Sequence, residues 1–325
     1  MKKIILPIIF IICLIVSGCG KNKGELNNFL KKVNNINSYY LTGTLEIVNN
    51  EDIFTYNIKV SYKDKDYYKV NMINKTNDHE QIILKNKEGV YVLTPSLNKS
   101  FKFQSEWPYN NSQSYLLQSI ASDIKNDKKK KVKKNGKYTI IMTNTNYKNN
   151  PKLKNQKIYL EDGMVKKVEV FDKDGNIKIK MKFKSIDLNP KFNKNYFNVK
   201  TNLSSKLEKT SKQLNEIVYP MNMPKNTYLS SEDKINTKDG ERAILTFAGE
   251  KPFTLVEETV NVSKELETIN IIGEPDILID TVGALSDNSI NWISNGVEYY
   301  ATSETMKESE LLEVVKSINN IPISK

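Results

Sequence analysis

The chain has 325 residues, of which 38% are hydrophobic and 27% are charged, and its formal net charge is +11. This composition excludes a multi-span membrane protein and a largely disordered chain, and the length allows two domains. Arg242 is the only arginine among 49 basic residues, although arginine is the residue that makes bidentate contacts with phosphate and guanine. The positive charge therefore does not indicate a nucleic-acid partner.

The N-terminal segment has the features of a bacterial lipoprotein signal peptide. Two lysines precede an apolar run over residues 4–16, which is too short to span the ~30 Å hydrocarbon core of a bilayer. The run ends in Val16-Ser17-Gly18-Cys19, which resembles a lipobox. The resemblance implies that residues 1–18 are removed and that acyl chains such as palmitate on Cys19 anchor the protein to the outer (extracytoplasmic) face of the cell membrane. An ordinary secretory signal with a chance cysteine is the alternative.

Cysteine and histidine are too scarce for the common catalytic and metal sites. Cys13 lies in the signal peptide and Cys19 is the lipidation site, so the mature chain has no thiol for a disulfide. His79 is the only histidine and lies in a polar turn, which disfavours Ser-His-Asp, Cys-His and zinc sites. The acidic run at 172–176 lacks the glycine and glutamate positions of a calcium loop and predicts a hairpin turn. We therefore predict no metal, no cofactor and no catalytic activity, with a carboxylate-only enzyme as the weaker alternative.

Residues 24–200 predict a long antiparallel sheet. A short amphipathic helix over residues 24–36 precedes strands in which apolar and polar residues alternate. In the clearest strand, over residues 177–184, every second residue is lysine, so one face is apolar and the other is charged. Turn signals separate roughly ten such strands between residues 38 and 186.

A helix-like segment over residues 114–121 interrupts the strands and would cover the open apolar face of a curved sheet. It leads into seven lysines within residues 128–137. Because dense like charge is typical of exposed segments, we predict a mobile, solvated loop there. Contact with anionic lipid headgroups is the alternative.

The second part of the chain predicts a smaller, acidic domain. A polar connector over residues 201–218 leads to a proline-rich boundary, and residues 219–325 contain short strands and a predicted terminal helix over residues 308–318. Residues 1–200 contain 37 basic and 18 acidic residues, whereas residues 201–325 contain 12 and 20. The acidic half either docks on the lysine-rich sheet face, or the two halves bind different partners. The fold class is thus mainly β, with an α+β second domain.

The order of these features resembles the LolA-like lipoprotein-carrier family. The lipobox, the short helix, the Asn-Ser-Tyr-Tyr run at 37–40, the mid-sheet helix and the Asn-Tyr-Phe-Asn-Val run at 195–199 carry this resemblance. It implies a curved antiparallel sheet, an incomplete barrel whose concave face is closed by helices and holds acyl chains. With its second domain, the chain resembles sporulation lipoproteins of the YdcC type, which are related to the germination lipoprotein GerS.

The resulting functional hypothesis is a non-catalytic, membrane-anchored lipoprotein that acts in sporulation or spore germination by binding another envelope protein. The resemblance to GerS implies a cell-wall- or cortex-processing amidase as the partner. The alternative is a carrier or sensor of lipid or lipopeptide that uses the concave apolar face. The candidate lining residues of that face are Phe54, Tyr56, Ile58, Val60, Tyr68, Val70 and Met72. If these residues bind no ligand, they form a filled core.

Overall fold

The computed structural model describes residues 20–49, 52–203, 207, 210–238, 240–262 and 264–318. The predicted signal peptide and Cys19 lie outside these residues. The described chain forms two open β-sheets, and helices cover one face of each sheet. The predicted fold class, mainly β with an α+β second unit, is confirmed.

The first sheet has twelve strands. Its strands are β1 (Ser38–Asn49), β2 (Asp52–Lys63), β3 (Tyr67–Asn74), β4 (Glu80–Asn86), β5 (Gly89–Thr94), β6 (Lys99–Phe103), β7 (Lys131–Asn135), β8 (Tyr138–Asn144), β9 (Leu153–Glu161), β10 (Met164–Asp172), β11 (Ile177–Asp187) and β15 (Glu267–Ile271). Their order is β15-β6-β5-β4-β3-β2-β1-β11-β10-β9-β8-β7. Neighbouring strands are antiparallel except β15 and β6, which are parallel.

Two helices close the apolar face of this sheet, as the resemblance implied. They are α1 (Gly20–Asn35) and α2 (Leu117–Asn126). Their apolar side chains, including Phe29 of α1 and Ile120 and Ile124 of α2, are fully buried in one cluster with the inward residues of the strands. The burial of apolar surface against the sheet stabilises both helices, because most of the stability of a helix in a protein comes from the packing of its apolar face.

The second sheet has seven strands and one helix. Its strands are β12 (Thr227–Asn236), β13 (Glu241–Gly249), β14 (Phe253–Thr259), β16 (Glu274–Ile277), β17 (Val282–Leu285), β18 (Ser289–Ser294) and β19 (Val297–Thr302), in the order β12-β13-β14-β19-β18-β17-β16. The helix is α3 (Glu308–Val315), whose Leu311 and Leu312 pack in a buried cluster with Trp292 and Tyr299. Asn295 and Gly296 both have positive φ, which is the backbone that a two-residue hairpin between β18 and β19 requires.

Three local predictions need correction. Part of the lysine-rich segment is not a loop but the edge strand β7, because its backbone pairs with β8 while most of its side chains remain exposed. The mid-sheet helix extends over Leu117–Asn126 rather than residues 114–121. The sheet is not formed by residues 24–200 alone, since β15 of the second half adds a parallel strand at its edge. The run at 172–176 is the predicted turn between β10 and β11.

A candidate binding cleft between the two sheets

A buried hydrogen-bond clamp around Gln81 joins the two sheets. The Gln81 side chain, on β4, is 4% exposed. Its Nε2 donates to the carbonyl oxygen of Val282 at 3.2 Å, and its Oε1 accepts from the backbone nitrogen of Val282 at 2.6 Å. The Thr281 hydroxyl lies 2.9 Å from the same Oε1. A side chain of the first sheet thus satisfies backbone groups at the start of β17 in the second sheet.

Further side chains of the first sheet reach the same segment. The Tyr56 hydroxyl donates to the Ile279 carbonyl oxygen at 2.7 Å, and Asn74 Nδ2 donates to the Asp280 carbonyl oxygen at 3.4 Å. Burial raises the pKa of the Asp280 carboxyl, which also accepts a hydrogen bond from the Ser294 hydroxyl. The interface is therefore polar, buried and largely satisfied, which fixes the relative position of the two sheets.

An ion-pair network links the edge of the first sheet, where β6 and β15 are parallel, to the second sheet. Lys99 of β6 is 8% exposed, and its Nζ lies 2.8 Å from Glu298 of β19 and 3.6 Å from Glu267 of β15. Burial alone would lower the pKa of Lys99, but the two carboxylates outweigh it and raise the pKa. The acidic half thus docks on the basic half, although the lysine-rich face of β11 is engaged by Glu46 of the first sheet.

Beside this interface lies a cleft of about 680 Å³, a volume within the ~300–1,000 Å³ range of small-ligand sites. Segments of the first sheet and its loops, at 45–49, 111–115, 147–153 and 172–179, form one wall together with Asp52. Residues 276–279 and the helix α3 with the residues after it form the other wall. We refer to this volume as the interdomain cleft.

Carboxyl groups with raised pKa values lie at the second wall of the interdomain cleft. Asp276 lines the cleft, and burial raises the pKa of its carboxyl group. Burial and the nearby Asp276, Glu274 and Asp287 raise the pKa of Glu308 to about 7. Lys316 opposes the shift at Asp276. These groups therefore take up protons more readily than exposed carboxylates do.

Two polar groups of the first wall have no well-formed hydrogen bond within the described part of the chain. They are the Ser114 hydroxyl, which lies beside Tyr147, and Nδ2 of Asn149. Ser114 is 3% exposed. A buried polar group without a partner costs about 1–3 kcal/mol, but both atoms are buried within the wall and do not face the open volume of the cleft.

The seven predicted lining residues lie elsewhere. Six of them, namely Tyr56, Ile58, Val60, Tyr68, Val70 and Met72, are buried in the core beneath α1 and α2, and Phe54 packs against that core. Tyr68 also lines a smaller cavity of about 490 Å³ between the two helices and the strand ends. The sequence did not predict the interdomain cleft, because its lining residues lie in loops that are far apart in the chain and have the composition of ordinary turns.

The edge strand β12 of the second sheet is exposed to solvent. Nine of its ten residues are exposed, among them Tyr228 at 63%, Leu229 at 40% and Ile235 at 43%. A bulge between Leu229 and Ser231 interrupts its pairing with β13. The sheet order places β12 at the edge opposite to β16, which contributes to the interdomain cleft.

Metal-binding clusters and membrane-spanning helices are absent from the described residues. No group of three or more histidine, cysteine, aspartate or glutamate side chains there is arranged to hold a metal ion. No helix in that part of the chain has the length and apolar character needed to cross a bilayer.

Several solved structures share similarity with this chain at low identity. A crystal structure of MucB matches with a TM-score of 0.36 and 12% identity, covering 93% of this chain and 98% of that chain. A structure of the CwlD amidase from Clostridioides difficile in complex with the GerS lipoprotein gives a TM-score of 0.32 and 21% identity, covering 50% of this chain and 93% of the matched chain. A LolA superfamily protein from Nitrosomonas europaea gives a TM-score of 0.26 and 9% identity, covering 91% and 94%.

Sequence comparison gives the family. The profile of the family described as sporulation protein YdcC-like matches residues 1–197. The chain is 35% identical to the sporulation protein YdcC of Bacillus subtilis (strain 168) over 314 residues, which is 94% of this chain and 93% of that protein. The profile covers more than half of the chain and the relative nearly all of it, so the predicted membership is confirmed and the protein belongs to the YdcC-like sporulation protein family.

Proposed function

We propose that this protein is a non-catalytic lipoprotein, anchored through Cys19 to the outer face of the cell membrane, that acts in sporulation or spore germination by binding another envelope protein. Membership of a sporulation family supports the process. The Val16-Ser17-Gly18-Cys19 sequence supports the anchor. The division into residues 24–200, a connector at 201–218 and an acidic unit at 219–325 is part of this proposal, with β15 of the acidic unit adding a strand to the first sheet.

The observation that carries the binding role is the exposed edge strand β12. Unpaired backbone groups of an edge strand are a template for a partner chain, and exposed aromatic and aliphatic side chains add apolar area. Glu232, Asp233 and Lys234 lie in the middle of this strand, where charge and the bulge limit self-association. Because these features disfavour pairing between two copies of this chain, the surface suits a different protein as its partner.

A cell-wall- or cortex-processing enzyme is the first partner class to test. The chain belongs to a sporulation protein family, and one solved structure similar to it holds the GerS lipoprotein in complex with the CwlD amidase. The partner in this proposal is an extracytoplasmic protein that places an apolar segment along β12.

Site-specific photo-cross-linking in sporulating cells tests this surface. A photoreactive phenylalanine at position 228 is expected to cross-link the full-length protein to one extracytoplasmic protein, identified by mass spectrometry. The matched control position is Ile53, an isoleucine of β2 that is 61% exposed, where no such cross-link is expected. Cross-linking to lipid alone, or equal products from both positions, would contradict the proposal.

Carriage or sensing of lipid is the second candidate function. The smaller cavity favours it, because Val33 of α1, Ala121 of α2 and Tyr68 contribute apolar surface to a lining that also contains polar side chains. Lipid co-purifying with the full-length protein in an organic extract, and lost when Ala121 is replaced by tryptophan to fill the cavity, would support it. Extracts without a stoichiometric lipid beyond the Cys19 anchor would remove this candidate.

A further inference from the structure

Exposed lysines of the segment at 128–137 form a row along the free edge of the first sheet. The strand β7 is the last in the order of that sheet, and β8 is the strand that pairs with it. Val132 packs against the core, whereas the lysines on either side of it are exposed. The exposed lysines of the segment are Lys128, Lys129, Lys131, Lys133, Lys134 and Lys137. We refer to these six residues as the lysine edge.

Most of the positive charge of the lysine edge is not neutralised within the described part of the chain. Lys137 pairs with Glu161 at 3.1 Å, whereas the other five lysines form no ion pair with a described residue. The neighbouring Asp127 carboxylate accepts hydrogen bonds from two backbone nitrogens, at 2.7 and 3.0 Å. The lysine-rich face of β11 differs, because a glutamate of β1 pairs with two of its lysines. The lysine edge is therefore the surface that attracts an anionic partner.

The first turns of α1 lie beside the lysine edge. The helix α1 contacts β7, β8 and β9. Glu25 of α1 accepts a hydrogen bond at 2.6 Å from the backbone nitrogen of Gly163, in the turn between β9 and β10. Glu161, at the end of β9, pairs with Lys137 in the turn between β7 and β8. These contacts connect the beginning of α1, through two neighbouring turns, to the lysine edge.

The predicted lipidation site is adjacent to the same part of the molecule. Cys19 directly precedes Gly20, with which α1 begins. From Gly20 to Glu25 the helix rises about 8 Å, at 1.5 Å per residue. Acyl chains on Cys19 would therefore hold the beginning of α1 at the lipid headgroups, with the lysine edge beside it.

We propose that the lysine edge binds the anionic phospholipid headgroups of the bilayer that carries the anchor, and so fixes the orientation of the first sheet on the membrane. The inference rests on the lipid anchor of the proposed function and adds the protein surface that meets the bilayer. An acyl anchor alone attaches the protein at one point, whereas a row of lysines beside it selects one orientation. Lysines also protect a free edge strand from pairing with other chains, but Lys128 and Lys129 precede β7 and Lys137 follows it.

Fluorescence quenching on the lipidated full-length protein in vesicles tests the proposal. A bimane label is attached to N135C, at the exposed last residue of β7, and the quencher is a nitroxide on the lipid headgroups. The matched control is N176C, at an exposed asparagine in the turn between β10 and β11, at the opposite end of the strands. In vesicles of phosphatidylcholine with phosphatidylglycerol, quenching is expected at position 135 and not at position 176. Quenching at position 135 should be lost in phosphatidylcholine alone, and in 1 M salt, where the Debye length is about 3 Å.

Two quadruple variants connect the quenching to the lysine edge. Each lysine near an anionic surface favours the bound orientation about fivefold, so removal of four should abolish the quenching at position 135. The variant is K129Q/K131Q/K133Q/K134Q. The control removes the same charge from four exposed lysines elsewhere and should leave the quenching unchanged. It is K154Q/K173Q/K225Q/K238Q.

Flotation with phosphatidylcholine vesicles in high salt measures the anchor separately. A protein that does not float overturns the anchor and this inference together. If it floats, the inference alone is overturned by equal quenching at positions 135 and 176, by equal quenching with and without phosphatidylglycerol, or by equal losses in the two quadruple variants. A label at position 135 that responds to soluble polyphosphate but not to phosphatidylglycerol also overturns it, and would assign the lysine edge to an anionic polymer.

Discussion

The Gln81 side chain forms with the backbone of Val282 the two hydrogen bonds that one strand residue usually forms with another. Its amide donates to the carbonyl oxygen and accepts from the N–H, at 3.2 and 2.6 Å. The two residues belong to different sheets and are separated by 201 positions in the chain. This contact, with the parallel pairing of β15 and β6, joins the halves of the chain into one unit and positions the walls of the interdomain cleft.

Replacing Gln81 with methionine is expected to destabilise the protein by about 3 kcal/mol. The apolar side chain leaves the N–H and C=O of Val282 buried without partners, at about 1–3 kcal/mol each. Urea unfolding measures the loss. Q213M is the control, because Gln213 is exposed, and it should change stability by less than about 0.5 kcal/mol. A Q81M protein as stable as the wild type would show that the clamp does not hold the sheets together.

Replacing Lys99 with methionine is expected to lower the free energy of unfolding by about 2 kcal/mol. This value lies between those for exposed and for fully buried ion pairs. The change leaves Glu298 and Glu267 without their shared cation. The additional change E298Q should recover part of the loss, because it removes the stranded charge. Chemical unfolding of both variants beside K129M, at an exposed lysine, provides the comparison. Equal stabilities of K99M and K129M would contradict the ion-pair account.

The stability of the wild-type protein is expected to fall as pH rises from about 5 to about 8. Burial raises the pKa of Glu257, which is 0% exposed, from 4.5 to about 7. The folded state therefore holds a proton that the unfolded chain has released, and stability is lost as pH passes through the folded pKa. At 1.36 kcal/mol per pKa unit this amounts to about 3 kcal/mol.

The variant E257Q isolates this contribution. It should be more stable than the wild type at pH 8 and should lose much of the pH dependence between pH 5 and 8. The exposed-site variant E304Q should retain the wild-type dependence. Unfolding free energies across pH 5–8 provide the measurement, and parallel curves for the wild type and E257Q would contradict the assignment.

Mass spectrometry of the mature N-terminus tests the anchor. The wild-type protein is expected to begin at Cys19 with diacylglycerol on its thiol, and C19S should carry no acyl group. C13S is the matched control, since Cys13 lies within the predicted signal peptide, and it should be lipidated as the wild type is. A mature wild-type protein without acyl chains would indicate an ordinary secretory signal.

The sequence predicted those elements whose structure depends on local pattern. Alternation in β1, β2 and β11 and apolar spacing in α1 and α3 identified these strands and helices within a few residues. The edge strand β7 was predicted as a loop, because its lysine side chains carry no apolar alternation and only its backbone pairing defines it. The parallel pairing of β15 with β6 joins residues 168 positions apart, and no local pattern specifies such a contact.

The candidate sites were less accessible to sequence reasoning. The alternation in β2 and β3 identified an inward face, but periodicity does not distinguish a packed core from a ligand cavity. The interdomain cleft is assembled from loops of both halves, whose asparagines have the same composition as ordinary turns. Gln81 is the one buried polar residue of β4 and precedes the buried apolar run at 82–84; this was the signal from which a specific contact could have been predicted.

The most direct test of the central claim is complementation of a deletion strain of the parent bacterium. Wild-type protein should restore sporulation and cortex hydrolysis during germination, whereas I235D, which places a charge on the exposed face of β12, should fail although it is folded and anchored. I53D, which places the same charge on an exposed isoleucine of the first sheet, should restore both. Normal spores in the deletion strain, or full complementation by I235D, would contradict the account.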